Sequence, residues 1–268
     1  MAARIRIGRI PVDVLGLDES LDRIEQLVVA KTGACVFTPN VDHVMLAQRN
    51  ARFRQAYSAA SLSLADGMPL LWAAWMLGSP LPERVSGSDL VWPLMERAAR
   101  RGLGVYLLGG AQGSARKAAE TLVTRLPGLR LVGIDAPRID LDMPASASLP
   151  ILERIASARP DLLLVGLGAP KQEIWIHSHL ETLRPAVVLA LGATIDFLAG
   201  KVPRAPRWMS RVGAEWLYRL ALEPRRLAHR YLVRDPGFVL VLARALTQRA
   251  GWRLAGSEVT VDQPDGRG

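Results

Sequence analysis

Four short apolar runs constrain this chain more than anything else in it: ACVF at 34–37, GVYLL at 104–108, DLLLV at 161–165 and VVLAL at 187–191. They are continuous rather than alternating, which is the pattern of strands buried on both faces of a parallel sheet. Each gives way to a turn rich in Gly, Pro or Asn. Weaker strand signals lie at 5–10 and 12–15 around Gly8 and Pro11, at 62–65 and at 129–134. Helical periodicity fills the gaps, with helices expected at 21–30, 41–55, 69–77, 89–101, up to 126 after Gly113, and 149–158. Strands alternating with helices predict an open, Rossmann-like, mostly parallel α/β sheet with helices on both faces and right-handed crossovers.

Ligands of such sheets bind beyond the carboxyl ends of the strands, so the polar residues of the turns are the candidates. The stretch 64–89 carries Asp66-Gly67 at the end of one apolar run. It returns with Arg84 and Gly87-Ser88-Asp89 after an apolar helix that packs away from the rim. Asp66 is the candidate for chemistry and Arg84 for binding an anion. The plainer alternative is that Asp66 caps the next helix and Arg84 is a solvated charge. Thr38 and Asn40 suit sugar hydroxyls or a phosphate, and equally an ordinary cap with Pro39 at the helix start. Gly109 and Gly110 open a strand, glycine turn, helix unit that can cradle phosphate on backbone N–H groups. The unit lacks the full G-x-G-x-x-G pattern, so a tight turn explains it as well. Lys171 and Gln172 are expected to project from the first turn of a helix. A Lys there adds charge to an end that is already positive, which costs stability unless an anion is near. Asp196 follows the turn after 187–191, and the loop 135–148 is expected to lie over the site.

The formal net charge is +9, and its location matters more than its size. Residues 201–253 hold 12 Lys and Arg against Glu215, Glu223 and Asp235, the whole excess of the chain. Trp208, Val212, Trp216 and Leu220 recur at four-residue spacing beside Arg207, Arg211 and Arg219, and a second unit carries Arg225, Arg226 and Arg230. This reads as a basic, amphipathic helical appendage that lies on an anionic membrane surface. Nucleic acid is disfavoured because the aromatics form a helical stripe rather than a stacking platform. A helix packed on the core with a solvated Arg face is the remaining alternative. The expected organisation is a core at 1–200, with a joint between two lobes near 90–103 left open, the appendage at 201–253 and a disordered tail at 254–268. The start has no apolar signal-peptide core, and no charge-free apolar run approaches the ~20 residues of a membrane span. The single cysteine, Cys35, sits in an apolar run and is expected to be buried.

Six ordered motifs share one resemblance: TPNVDH at 38–43, ADGMPLLW through ERVSGSD at 65–89, VYLLGGAQG at 105–113, PDLLLVGLGAPKQEIW at 160–175, GATIDFLAGKVPRAPRWM at 192–209 and GAEWLYRLALEPRRLAHRYL at 213–232. Together they resemble the WecG/TagA/CpsF family of bacterial glycosyltransferases across roughly residues 5–235. The resemblance implies transfer, with inversion, of a hexose or N-acetylhexosamine such as N-acetylmannosamine. The donor would be a UDP-sugar and the acceptor a polyprenyl-diphosphate-linked saccharide, at the cytoplasmic face of the cell membrane, in surface-polysaccharide or teichoic-acid-type assembly. It implies Asp66 as catalytic base, Arg84 as the group that steadies the diphosphate, and Thr38, Asn40 and Gln172 as donor-sugar contacts. Asp196 would lie near the nucleotide. Arg207, Arg211, Arg219, Arg225, Arg226 and Arg230 would belong to an appendage that docks on membrane and completes the site. It implies no cofactor and no metal, with Arg and Lys in the place of Mg²⁺, and no nucleic-acid partner; a homo-oligomer is left open. Two rivals remain: a soluble dehydrogenase-like enzyme and a non-catalytic adaptor for anionic membrane. The dehydrogenase needs an acidic residue about 20 positions after its glycine turn, and only Asp135 is near, somewhat late.

Overall fold

The computed structural model of the chain describes residues 3–142, 144–201, 209, 218 and 237–254. Its first element is a hairpin, β1 (Arg4–Ile7) and β2 (Ile10–Asp13), closed by the two-residue turn Gly8-Arg9. The strands were expected to part at Pro11, yet Pro11 pairs with Arg6 inside β2. A two-stranded ribbon leaves one edge of each strand outside the ladder, where the missing N–H of proline costs nothing. Helix α1 (Leu17–Ala30) starts four residues before the expected point, its first turn fixed by Glu19, which accepts the Gly16 N–H at 2.9 Å.

From β3 (Ala34–Phe37) the chain enters not one helix over 41–55 but two, α2 (Val41–Arg49) and α3 (Ala51–Ser58). Asn50 makes the break. Its backbone is extended, and its Oδ1 accepts the Phe53 N–H at 3.0 Å, capping α3. Asparagine competes with the helical backbone for its own amides, which is why it favours caps over helix interiors. β4 is only Leu62–Ser63, shorter than the apolar run 62–65, because Asp13 Oδ2 takes the Ser63 N–H at 2.8 Å. A buried side chain thus closes the edge of the sheet that another strand could otherwise extend. Asp13 is held in turn by Arg4 at 2.7 Å.

The remaining elements are α4 (Met68–Met76), α5 (Gly87–Arg101), β5 (Gly104–Gly109), α6 (Ser114–Arg125), β6 (Arg130–Asp135), a 3-10 turn (Ala145–Ser148), α7 (Leu149–Ala158), β7 (Leu162–Gly166), α8 (Lys171–Leu183), β8 (Val187–Ala190), α9 (Thr194–Leu198) and α10 (Gly237–Leu254). β3 to β8 form one six-stranded sheet in the order β4-β3-β8-β7-β5-β6, every pair parallel. Side chains alternate between two cores. Cys35, Phe37, Leu108, Val165 and Val188 face α2, α3, α7 and α8, while Val36, Leu107, Leu164 and Leu189 face α1, α5, α6 and α9. The expected Rossmann-like architecture is what the chain adopts, and Cys35 is fully buried in it.

α5 to α9 follow the sequence closely, but α4 does not simply pack away. It buries Leu70, Ala73 and Ala74 and leaves Trp72, Trp75 and Met76 exposed. The basic stripe Trp208 to Leu220 and the tail 255–268 lie outside the described residues. Replacing Asn50 with Ala should remove one helix cap and cost about 1 kcal/mol, read as a fall of roughly 2–4 °C in thermal midpoint.

Candidate active site

Because all six strands are parallel, their carboxyl ends share one rim, and connections leave that rim in both directions. β5 exits through α6 onto one face and β7 exits through α8 onto the other, so a crevice opens between them. Gly109 and Gly166 are register partners there. A Cβ on Gly109, whose φ is +101°, would lie 2.6 Å from Gly166 O. Only glycine permits the two exits to come so close, and the Gly110 N–H donates to the same oxygen at 2.8 Å.

The candidate acid and base converge from the other half of the rim. Asp66 follows β4, and its N–H donates to Pro39 O at 2.8 Å, fastening this turn to the Thr38-Pro39-Asn40 turn after β3. The Val85 N–H donates to Ala65 O at 2.9 Å, so the returning chain sets Arg84 beside Asp66 in the backbone. The N-cap position of α4 is taken by Gly67, at φ +121°, and Asp66 stands one residue before it. Arg84 is not a solvated charge: its Nη2 donates to Asp89 Oδ2 at 2.8 Å, with the Arg side chain 15% and the Asp side chain 17% exposed. Asp89 also accepts the Ser86 hydroxyl at 2.7 Å, and Ser86 caps α5. The guanidinium is therefore held in one place by a helix N-terminus.

The other candidates divide. Asn40 Oδ1 accepts the His43 N–H at 3.3 Å and caps α2, and the Thr38 hydroxyl donates to Ala190 O at 3.3 Å. Lys171 opens α8 with Asp140 Oδ1 3.7 Å from its Nζ, so a carboxylate offsets part of the charge conflict. Asp196 Oδ1 accepts the Ala111 N–H at 2.8 Å and Lys201 donates to Gln112 O, which stiffens the glycine turn from α9 and its end. Gln172 departs from expectation. It does not project but is buried, its Oε1 accepting the N–H groups of Gly168 and Gly192, each at 3.2 Å. It clasps the exits of β7 and β8 together. Arg207, Arg211, Arg219, Arg225, Arg226 and Arg230 lie outside the described residues.

Beneath this rim is a buried polar layer that no periodicity announces. His43 Nδ1 and Tyr57 Oη share a 2.7 Å hydrogen bond. The Tyr57 hydroxyl is pushed well above its ordinary pKa by burial first, then by the negative charges of Glu173 and Asp66. Glu173 is fully buried; its Oε1 accepts from Gln172 Nε2 at 2.7 Å, and its Oε2 has no hydrogen-bond partner. Burial lifts the Glu173 carboxyl to about 7, against the lowering by Gln172, with the nearby Asp42 charge adding to the rise. The one sequence signal was an ionisable residue on the apolar side of α8, between Gln172 and Ile174.

Two further observations bear on the alternatives. Asp135, the only candidate for a dinucleotide-ribose contact, ends β6 and is already committed, accepting from Tyr106 Oη and from Arg154 Nε and Nη2, each 3.0 Å away. Burial pushes its pKa up, but the Arg154 guanidinium and the Tyr106 hydroxyl outweigh that and hold it below the usual carboxylate range. Separately, the sequence contains an Asp-x-Asp pair of the kind that metal-dependent transferases use, Asp140-Leu141-Asp142. It stands on the 135–148 loop, with the Asp140 side chain half exposed and facing Lys171. Among the described residues no group of three His, Cys, Asp or Glu side chains is placed to hold a metal ion.

The family model described as the WecG/TagA/CpsF glycosyl transferase family matches residues 5–251. The chain belongs to this family. It is therefore a glycosyltransferase, and the crevice with Asp66 and Arg84 belongs to a glycosyltransferase fold rather than a dehydrogenase. Among its relatives are proteins named N-acetylglucosaminyldiphosphoundecaprenol N-acetyl-beta-D-mannosaminyltransferase. That of Bacillus spizizenii is 30% identical over 194 residues, 72% of this chain and 73% of the relative. That of Bacillus subtilis strain 168 is 28% identical, covering 82% and 84%. That of Staphylococcus aureus strain NCTC 8325 is 27% identical, covering 91% and 97%.

Glu173 supplies a test of the buried layer. Its pKa is higher folded than unfolded, so between about 4.5 and about 7 the native state binds the extra proton and stability falls as pH rises. Glu173→Gln removes that titration. Its stability relative to wild type should rise by about 3 kcal/mol across this window, measured as a thermal-midpoint difference that widens from about pH 5 to about pH 8.

Proposed function

We propose that this glycosyltransferase moves an N-acetylmannosamine-like hexosamine from a UDP-sugar to a polyprenyl-diphosphate-linked saccharide, with inversion at the anomeric carbon. The observation that carries the reading is the backbone tie that sets Asp66 and Arg84 side by side at the rim, against the Thr38-Pro39-Asn40 turn. The activity for which the relatives are named, N-acetylmannosaminyl transfer to N-acetylglucosaminyldiphosphoundecaprenol, supports the substrate class. The acceptor hydroxyl attacks the anomeric carbon on the face opposite UDP. Its proton passes to the Asp66 carboxylate as the new C–O bond forms, because a sugar hydroxyl is too weak an acid to ionise first. The glycosidic electron pair leaves with UDP, whose growing negative charge is met by Arg84 and Lys171 at the rim that the Gly109-Gly110 turn shapes. Thr38 and Asn40 line the sugar side of the crevice. Gln172 and Asp196 act behind it, fixing the turns that make the contacts.

The reading includes peripheral placement at the inner face of the bacterial cell membrane, where the 201–253 arginines meet anionic lipid and the acceptor's diphosphate. Its support is the position of the positive charge and the lipid-linked acceptor of the relatives. Among the described residues no helix is long and apolar enough to cross a membrane. It also includes independence from metal, since cationic side chains at the rim can carry the leaving-group charge.

Asp66→Asn should lower transfer by ~10²–10⁴ fold while UDP-sugar binding persists, the size of effect expected when a positioned base is lost. Arg84→Ala should cost roughly 10²–10³ fold in kcat, as for loss of one charge-stabilising donor; radiolabelled-sugar transfer measures both, and unchanged turnover would remove either residue from the chemistry. Saturating chelator should leave the rate unchanged, and loss that Mg²⁺ or Mn²⁺ restores would assign a metal role to the Asp140-Leu141-Asp142 pair.

A further inference from the structure

Helix α4 starts at the Asp66 turn and ends in an apolar face that no element among the described residues covers. Trp75 is 71% exposed, Trp72 50% and Met76 43%, on a nine-residue helix with no charged side chain. Large aromatic side chains are rarely left in water at this density without a partner. α4 packs against β1 of the hairpin, and α10 packs at the other end of that hairpin, where Val241 Cγ1 would lie 2.9 Å from a Cβ on Gly8. α10 buries Phe238 and turns Val239 and Leu240 outward, 68% and 64% exposed. The hairpin between them exposes Arg6 and Arg9, and α10 exposes Arg244. Neither α4 nor α10 contains an acidic residue. The hairpin's single carboxylate, Asp13, is buried and clamped by Arg4.

Tryptophan, methionine and aliphatic side chains flanked by arginines, with no carboxylate, match the chemistry of one surface. Such a set places indole rings at headgroup depth and guanidinium groups on anionic phosphates. Another protein's hydrophobic patch would satisfy the apolar side chains but leave the arginines unmatched.

We propose that α4, the β1–β2 hairpin and the outer face of α10 form a lipid-docking surface on which Trp72, Trp75 and Met76 enter the headgroup region of an anionic bilayer. This surface is built from residues other than the arginines of 202–236. It has a consequence for catalysis: at 1.5 Å per residue, Trp72 and Trp75 lie only about 10–15 Å along the chain axis from Asp66. Docking through α4 therefore brings the rim to the depth at which a lipid's diphosphate emerges. The inference rests on the reading that the acceptor is lipid-linked.

The test uses the full chain and sedimentation with vesicles of phosphatidylcholine, alone or with anionic phosphatidylglycerol. Wild type should bind the anionic vesicles, and brominated lipid should quench its tryptophan fluorescence. A Trp72→Ser/Trp75→Ser variant should bind at least about tenfold more weakly. It should lose transfer to acceptor in vesicles but keep transfer to a water-soluble short-chain lipid-diphosphate acceptor. A Trp72→Phe/Trp75→Phe variant should keep binding and lose the part of the quenching that these two of the seven tryptophans contribute, which separates insertion from misfolding. Unchanged vesicle binding and quenching in both variants overturns the proposal. So does intact vesicle binding by the Ser variant together with a lower mass in sedimentation velocity, which would assign the face to a second copy of the chain. No transfer by wild type to either acceptor would instead overturn the reading of function, and the vesicle-binding result would still decide the surface.

Discussion

A parallel sheet buried on both faces leaves polar groups only one place to gather. The interiors of β3, β5, β7 and β8 are covered by helices on both faces, so Asp66, Arg84, Thr38, Asn40, Lys171 and the glycine turns all stand where strands end. The same constraint makes those ends expensive. Backbone groups leaving a ladder must find new partners or remain unsatisfied in a dry environment. The chain meets this with cross-links between turns: Asp66 to Pro39, Val85 to Ala65, Gly110 to Gly166, Asp196 to Ala111, and the Gln172 amide to both Gly168 and Gly192. The site is less a set of side chains than a set of mutually tied exits.

This arrangement explains the buried layer under the rim. If Gln172 presents its oxygen to two backbone N–H groups, its NH₂ must face the other way, and something must accept it. Glu173 does so, at the cost of burying a carboxyl group. The group answers by holding its proton until near neutrality, as a carboxyl in an apolar setting does. Tyr57 and His43 extend the layer toward Asp66, so the electrostatic setting of the Asp66 turn is made partly by residues on α2, α3 and α8.

The same helix that departs from Asp66 ends in exposed tryptophans. A transferase with a soluble donor and a lipid-borne acceptor needs its rim to face two phases at once. In the proposed function the crevice between β5 and β7 takes the nucleotide, and α4 leads outward from the Asp66 turn. The charge asymmetry of the chain, only +2 over its first two hundred residues and strongly basic over 201–253, is consistent with that division.

How far the sequence alone reached can be judged residue by residue. Continuous runs such as DLLLV specify a two-sided parallel sheet because no other arrangement buries them, and in such a sheet the residue after a strand is at the rim. Fold class and rim were therefore legible before any coordinates. So was the family, from motifs in order. Three things were not. The break at Asn50 was hidden because the apolar spacing runs through it, and only the cap bond selects two helices. The inward turn of Gln172 and the protonation of Glu173 depend on which backbone amides lie opposite them, brought together from Gly168 and Gly192. The exposure of Trp72 and Trp75 depends on α4 having only one side of the hairpin to pack against, and hydrophobicity reads the same whether a residue meets the core or a surface. Local chemistry and periodicity set what each segment is; which groups are left to face one another, or to face outward, is decided only when distant segments share space.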